Sequence, residues 1–314
     1  MANQRLTAAR NNKNDEFYTS LKDIENELKH YGTYFEDKIV LCNCDDPSVS
    51  NFFHYFFHNF DRLKLKKLIA VCYKNQNLTM FSDNKSQQAI YLVYEGNEEN
   101  KRMPNIEDIE IKFLKGNGDF RTPECVDLLK QSDIICTNPP FSLWQEYFLQ
   151  LIKYGKSFLI IGDTNKMFLK KVFPYIINRT VWIGWNSNMV CDFQIPDDYK
   201  SYSKMENGIK YATLPAICWF TNLSHNKSNK DLILTKKYYG NEKDYPNYDL
   251  LQNGHDAINV DKLADIPKDY YGPMGVPQTF LINWNPEQFE ALGSHDKPEI
   301  NGKSKFTRVL IRRK

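Results

Sequence analysis

The stretch "DIICTNPPFSLWQEYF" at residues 133–148 constrains the fold of this 314-residue sequence more tightly than any other segment. "DIICTN" is apolar enough to be a fully buried strand, and "SLWQEYFLQLIKYG" has the pattern of a helix. Ser142 and Gln145 are placed as a capping box, Leu143, Tyr147, Phe148, Leu151 and Ile152 as an apolar stripe, and Gly155 as a stop. Pro139 and Pro140 stand between the two elements. Each lacks an N–H and fixes its φ, so neither strand nor helix runs through them. A buried strand therefore leaves its sheet by a rigid corner, Asn138-Pro139-Pro140-Phe141.

The segments around the corner repeat the same alternation. "SLKDIENELKHYG" predicts a helix capped by Ser20 and Asp23, stopped by Gly32, with Leu21, Ile24, Leu28 and Tyr31 on one face. Strands are predicted at residues 38–44, 66–73, 109–116 and 156–162, and helices within "SVSNFFHYFFHNF" and "NKMFLKKVFPYI". Strands alternating with helices argue for an α/β fold with a parallel sheet covered on both faces. After about Trp185 the chain turns rich in Asn, Tyr, Lys, Pro and Gly, with short strand candidates in "PAICWF" and "DLILTKK". The boundary is drawn there, into residues 1–184 and 185–314. Ligands of such sheets bind at the carboxyl ends of the strands, where the corner lies.

Composition narrows the classes. The net charge is only +2, so the total demands no anionic partner. Basic runs at residues 62–67, 226–237 and 302–314 are usually solvated faces, though with interleaved aromatics they suit a polyanion. Seven cysteines without Cys-x-x-Cys spacing favour buried thiols over disulfides or a metal site. No apolar run reaches bilayer length and the first residues hold no apolar signal region, which places the protein in a reducing cytoplasm with no membrane association.

The corner has a definite chemical capability. Asn138 offers a side-chain carbonyl, the prolines aim main-chain carbonyls, and Phe141 offers a flat apolar face. An amine conjugated to a ring, held on Phe141, would donate its two N–H groups to Asn138 Oδ1 and the Pro139 carbonyl. Those acceptors draw the nitrogen lone pair out of conjugation and make it a nucleophile without a strong base.

"TNPPF" resembles the motif of S-adenosylmethionine-dependent amino-methyltransferases, in which Asp, Asn or Ser precedes Pro-Pro-aromatic. Protein methyltransferases acting on glutamine use Asn-Pro-Pro-Tyr. "ARNNKNDEFYT" at residues 9–19, "CNCDDPSVSNF" at 42–52 and "MGVPQTFLINWNPEQFEALG" at 274–293 narrow the likeness: together they resemble the EcoRI-type DNA adenine methyltransferase family over residues 9–293. The resemblance implies a Rossmann-like methyltransferase sheet with helices on both faces, plus an irregular target-recognition region and a C-terminal completion of the catalytic domain. It implies transfer from S-adenosylmethionine to adenine N6 in double-stranded DNA by a monomer, in a restriction-modification or epigenetic setting; a cognate endonuclease, where one exists, would form no stable complex with it.

Site residues follow from the same likeness. Asn138, Pro139, Pro140 and Phe141 form the catalytic corner. Phe17, Tyr18 and Thr19 contribute to the cofactor pocket. Asp45 or Asp46 takes the cofactor's ammonium, and backbone N–H groups near Ser48 and Ser50 its carboxylate. Tyr73 packs on the adenosine, and Asp119 accepts from its N6–H with Phe120 beside it. The loop at residues 44–50 contains no glycine, and the second strand ends without the acid that usually binds ribose. Base readout is expected between about Trp185 and Pro277, where Asn186, Asn188, Lys204, Lys210, Asn226 and Lys227 are suited to it, with Phe193 helping Phe141 to hold the flipped base. The competing readings are a glutamine-N5 protein methyltransferase, an RNA adenine methyltransferase, and a non-catalytic DNA-binding relative.

Overall fold

Four apolar strands form the parallel centre of a ten-stranded sheet: β1 (Ile39–Cys42), β2 (Lys67–Cys72), β5 (Ile134–Thr137) and β6 (Ser157–Asp163). Strand β1 pairs with β2 on one side and β5 on the other, and β5 pairs with β6. Continuous runs such as "IVLC" and "IICT" suit strands whose two faces are both covered. The computed structural model describes residues 18–44, 50–72, 89–96, 109–187, 189–195, 202–225, 230–249 and 256–314. They form two compact units, residues 1–172 with 183–225, and residues 173–182 with 226–314.

Antiparallel strands flank that centre. β3 (Ile90–Tyr94) pairs with β2, and β4 (Ile111–Phe113) pairs with β3 at the edge. The strand expected at residues 109–116 is therefore a three-residue edge strand. Its alternation of apolar and polar residues marks a half-exposed edge, and Phe113 is largely exposed. On the other flank the 13-residue β10 (Ile209–Thr221) runs antiparallel to β6 and also carries β8 (Met189–Gln194) and β9 (Lys204–Glu206). β7 (Trp182–Ile183) lies beyond β10 in strand order. "PAICWF" falls within β10. "DLILTKK" is no strand: it makes a single bridge, Lys236 to Pro267.

Helix α1 (Leu21–Leu28) starts as its sequence predicts, with Ser20 Oγ accepting from Asp23 N at 3.1 Å. It ends at Leu28, before Gly32, which opens a 3-10 turn. Ser50 caps α2 (Asn51–His58), whose Phe52, Phe53, Tyr55, Phe56 and Phe57 are all buried. After α3 (Phe60–Leu63) and α4 (Pro123–Gln131), α5 (Trp144–Lys153) follows the corner. Its N-cap falls one residue later than the expected Ser142, on Leu143, whose side chain has no atom that can cap and whose N–H donates to Pro140 O at 3.0 Å in the turn that completes the corner. The helix expected in "NKMFLKKVFPYI" splits into a 3-10 turn (Thr164–Phe168) and α6 (Phe173–Ile177), which Pro174 restarts.

The chain passes from β1 to β2 in one direction and later places β5 on the opposite side of β1. That reversal is the switch point at which open α/β sheets bind ligands, beyond the carboxyl ends of the strands. The corner begins one residue after β5, at this point.

The second unit holds a four-stranded sheet, β11 (Ile258–Asn259), β12 (Met274–Pro277), β16 (Arg308–Arg313) and β13 (Phe289–His295) in that order, with a hairpin of β14 (Glu299–Ile300) and β15 (Lys303–Ser304). Its small core joins Tyr248, Ala257, Ile300 and Leu310. Residues 183–225 go with the first unit because β10 is laddered to β6.

Candidate active site

The corner is held from several sides. Phe141 is only 6% exposed and meets Phe193 edge to face, with ring centroids 6.2 Å apart, so little of its ring is open to a base in this conformation. Lys166, in the 3-10 turn after β6, donates from Nζ to the Phe141 carbonyl at 3.1 Å and lies 3.6 Å from Asp163 at the end of β6. Trp144 donates from its indole to Ile161 O at 2.7 Å and lies directly over Gly162, where a Cβ would come within 2.7 Å of the indole nitrogen. These braces involve residues that the sequence reading passed over.

Asp119 sits in the turn between β4 and α4. Its two carboxylate oxygens accept from Arg121 Nε at 2.8 Å and Nη2 at 2.6 Å, and the guanidinium holds the carboxyl below its ordinary range. Phe120 packs edge-on against Tyr147 at 5.1 Å, and its carbonyl accepts from Gln150 Nε2 at 3.0 Å. Arg121 also reaches Glu146 at 3.3 Å. Glu146, Tyr147 and Gln150 all lie on α5, so the helix that leaves the corner also docks the Asp119 turn.

The same helix reaches the end of β1. Tyr147 donates its hydroxyl to Oδ1 of Asn43, a buried residue immediately after β1. Nearby in sequence, Tyr18 pairs its backbone with Gln194 of β8, and Thr19 gives its carbonyl to Asn51 Nδ2 at the start of α2 (2.7 Å). Ser50 uses its hydroxyl to cap α2. Thr19 Oγ1 and Asn43 Nδ2 are buried and have no hydrogen-bond partner among the described residues. Leaving such a group unanswered costs about 1–3 kcal/mol, so a polar ligand at this end of the sheet fits them. Phe17, Asp45, Asp46, Ser48 and Tyr73, with Asn188, Asn226 and Lys227, lie outside the described residues.

The start of the expected recognition region is clamped by an acid. Glu27 is fully buried on α1, and its oxygens accept from Trp185 N (2.7 Å), Asn186 N (2.8 Å), Asn186 Nδ2 (2.9 Å) and Tyr31 Oη (2.8 Å). Burial pushes its carboxyl up against the pull of these donors. A Cβ on Gly184 would collide with Glu27 Oε1, and Trp185 stacks on His30 at 3.9 Å. Asn186 thus spends its amide donor on Glu27. Lys204 pairs with Asp192 (2.7 Å) and Glu206 (3.1 Å), while Lys210 lies over Tyr202 at 5.6 Å.

Much of the basic character is internally paired. Lys64 meets Glu36, Lys67 meets Glu95, Arg308 and Lys305 meet Asp261, and Arg312 meets Glu290. The basic runs at residues 62–67 and 302–314 are to that extent structural. Cys125, Cys191 and Cys218 are buried thiols outside any disulfide, and burial pushes Cys191 up to about 12, an inert value. Among the described residues no cluster of three or more His, Cys, Asp or Glu could hold a metal ion, and no helix is long and apolar enough to cross a membrane.

Comparison with known proteins identifies the family. The family described as "Adenine-specific methyltransferase EcoRI" matches residues 5–314. The Type II methyltransferase M.EcoRI of Escherichia coli is 47% identical over 99% of this chain and 97% of its own length. M.MgeORF184P of Mycoplasma genitalium and M.MpnI of Mycoplasma pneumoniae, also named Type II methyltransferases, are each 36% identical, over 97% and 98% of this chain and 97% of their own lengths. No solved structure matches. A strand-end Asn-Pro-Pro-Phe corner at the switch point of an α/β sheet and a match along nearly the whole chain lead to one conclusion: the chain belongs to the EcoRI-type adenine-specific DNA methyltransferase family.

Proposed function

We propose that the protein transfers a methyl group from S-adenosylmethionine to N6 of an adenine flipped out of a short specific sequence in double-stranded DNA. The placement of Asn138-Pro139-Pro140-Phe141 directly beyond β5, beside the carboxyl end of β1, carries this reading. Asn138 Oδ1 and the Pro139 carbonyl accept the two N–H groups of the target amine, Pro140 fixes the turn, and Phe141 stacks on the base once one face of its ring opens. S-adenosylmethionine supplies an electrophilic methyl group.

Asp119 would accept from the cofactor's adenine amine through Oδ2, which takes Arg121 Nη2 and keeps a second lone-pair direction, whereas Oδ1 already accepts from Arg121 N and Nε. Phe120 flanks it, and Tyr73 packs on the adenosine. Asp45 or Asp46 takes the ammonium, the backbone around Ser48 and Ser50 the carboxylate, and Phe17, Tyr18 and Thr19 line the pocket. The buried, unanswered Thr19 Oγ1 supports that assignment. Residues 1–184 hold the cofactor and the chemistry. Residues 185–314 read the target and complete the catalytic domain, with base contacts between about 185 and 277.

Flipping the base costs a few kcal/mol, which phosphate contacts offset in a salt-dependent way. The protein acts as a cytoplasmic monomer, and an endonuclease cutting the same sequence need form no stable complex with it. The test is transfer of labelled methyl groups to unmethylated DNA, followed by nucleoside digestion and mapping. N6-methyladenine at one short sequence is expected, and Asn138→Ala should lower the rate about 10²–10³-fold with cofactor affinity retained. Label only in protein glutamine or in RNA, or a variant that keeps most of its rate, overturns the reading.

A further inference from the structure

The geometry points to Asn43 as a further cofactor-binding residue, whose side-chain amide donates to the carboxylate of the methionine tail and is held in that orientation by Tyr147. The inference rests on the reading that S-adenosylmethionine is the methyl donor.

Three observations converge on this amide. Asn43 follows Cys42, the last residue of β1, and is only 3% exposed. The parallel register sets Val40 beside Ile134 and Leu41 beside Ile135. Asn43 opens the turn directly beyond β1, and the corner opens directly beyond the neighbouring β5. The amide therefore stands at the switch point, beyond the carboxyl end of β1 and beside the strand that leads into the catalytic corner.

Its two polar atoms are treated differently. Oδ1 accepts from the Tyr147 hydroxyl and is approached by Cys44 Sγ at 3.9 Å. Nδ2 is buried and meets no acceptor among the described residues. Turning the amide over would exchange an unanswered donor for an unanswered acceptor, so neither orientation satisfies the side chain from within the protein. In the observed orientation the Tyr147 hydroxyl donates to Oδ1, which leaves Nδ2 as the unanswered group. A donor at the end of β1 calls for an acceptor, and the carboxylate is the charged acceptor of an S-adenosylmethionine tail.

Tyr147 also packs against Phe120, next to Asp119. One side chain on α5 thus sets both ends of the cofactor pocket: the tail end through Asn43 and the adenine end through Phe120.

The test is calorimetric binding, without DNA, of S-adenosylhomocysteine and of its decarboxylated analogue, which lacks only the carboxylate. Full-length wild type, Asn43→Ala and Tyr147→Phe are compared, with circular dichroism to verify folding. Asn43→Ala should weaken S-adenosylhomocysteine roughly ten- to a hundredfold while changing the analogue by less than about twofold. Tyr147→Phe, which keeps the ring, should shift the two ligands in the same selective sense by a few-fold, and decides the matter if Asn43→Ala does not fold. Equal losses for both ligands, or no loss for either, overturn the assignment. Wild type that binds neither ligand overturns the methyl-donor reading itself, a result separable from a failure of Asn43 alone.

Discussion

Glu27 closes the segment at Trp185 and Asn186 with a fully buried carboxylate that meets four neutral donors, whereas Asp119 closes the turn before α4 with a carboxylate gripped by the half-exposed guanidinium of Arg121. Both acids hold a loop of the first unit in place. Burial raises the carboxyl of Glu27, and Arg121 lowers that of Asp119. The contrast separates a frame from a latch. A desolvated acid bonded to backbone N–H groups is costly to disturb and indifferent to salt. A part-exposed ion pair is cheap to open.

The largest effect that can break this contrast is removal of the frame. Glu27→Ala strands the N–H groups of Trp185 and Asn186, and should lower the unfolding free energy by about 3 kcal/mol in urea titrations. A loss below about 0.5 kcal/mol would show that the carboxylate is no frame at all.

Lys166→Met tests a bond of intermediate strength, the one that holds the Phe141 carbonyl. It should lower kcat roughly tenfold with KM for DNA little changed, as expected for a positioning residue beside the reacting group. A change confined to KM would assign Lys166 to binding instead.

The smallest effect is the most discriminating, because its sign differs between the two acids. A raised carboxyl contributes most below its unfolded value, so the wild type's stability advantage over Glu27→Gln should shrink as pH rises above about 4.5. A lowered carboxyl contributes fully above its unfolded value, so the advantage over Asp119→Asn should persist at neutral pH and fade below about 3.8. The Asp119 increment should stay under about 1 kcal/mol and diminish with added salt. Parallel pH profiles for the two variants would erase the distinction between frame and latch.

What the sequence disclosed follows the range of the interactions involved. The corner, β5 and α5 were legible because two prolines and an apolar stripe act within a few residues of themselves. The strand "IYLVY" was legible in principle, being apolar and β-branched or aromatic throughout, yet its antiparallel place between β2 and the edge depends on pairing rather than on pattern. Glu27 gave a signal of its own: it shares a helical face with Ile24, Leu28 and Tyr31, where a charge makes sense only if buried donors await it. Those donors lie 158 and 159 residues away, beyond any periodicity. Lys166 and Tyr147 gave no such sign, since a turn lysine and a helical tyrosine are ordinary until their partners are known.

Strand β10 has a consequence for attempts to redesign this scaffold. Its 13 residues span about 40 Å. They pair with β9 from Ile209 to Tyr211, with β8 from Tyr211 to Ile217, and with β6 from Ile217 onward, across an irregularity around Ala216, whose φ is +59°. Ile217 stands opposite Asp163, the neighbour of Lys166. The β8–β9–β10 extension is consequently not a cassette with a hinge at its base. Inserting or deleting one residue between Tyr211 and Ile217 would turn every following side chain to the other face of the sheet and carry the error to the end of β6. Redesign of this extension must therefore exchange side chains at constant strand length.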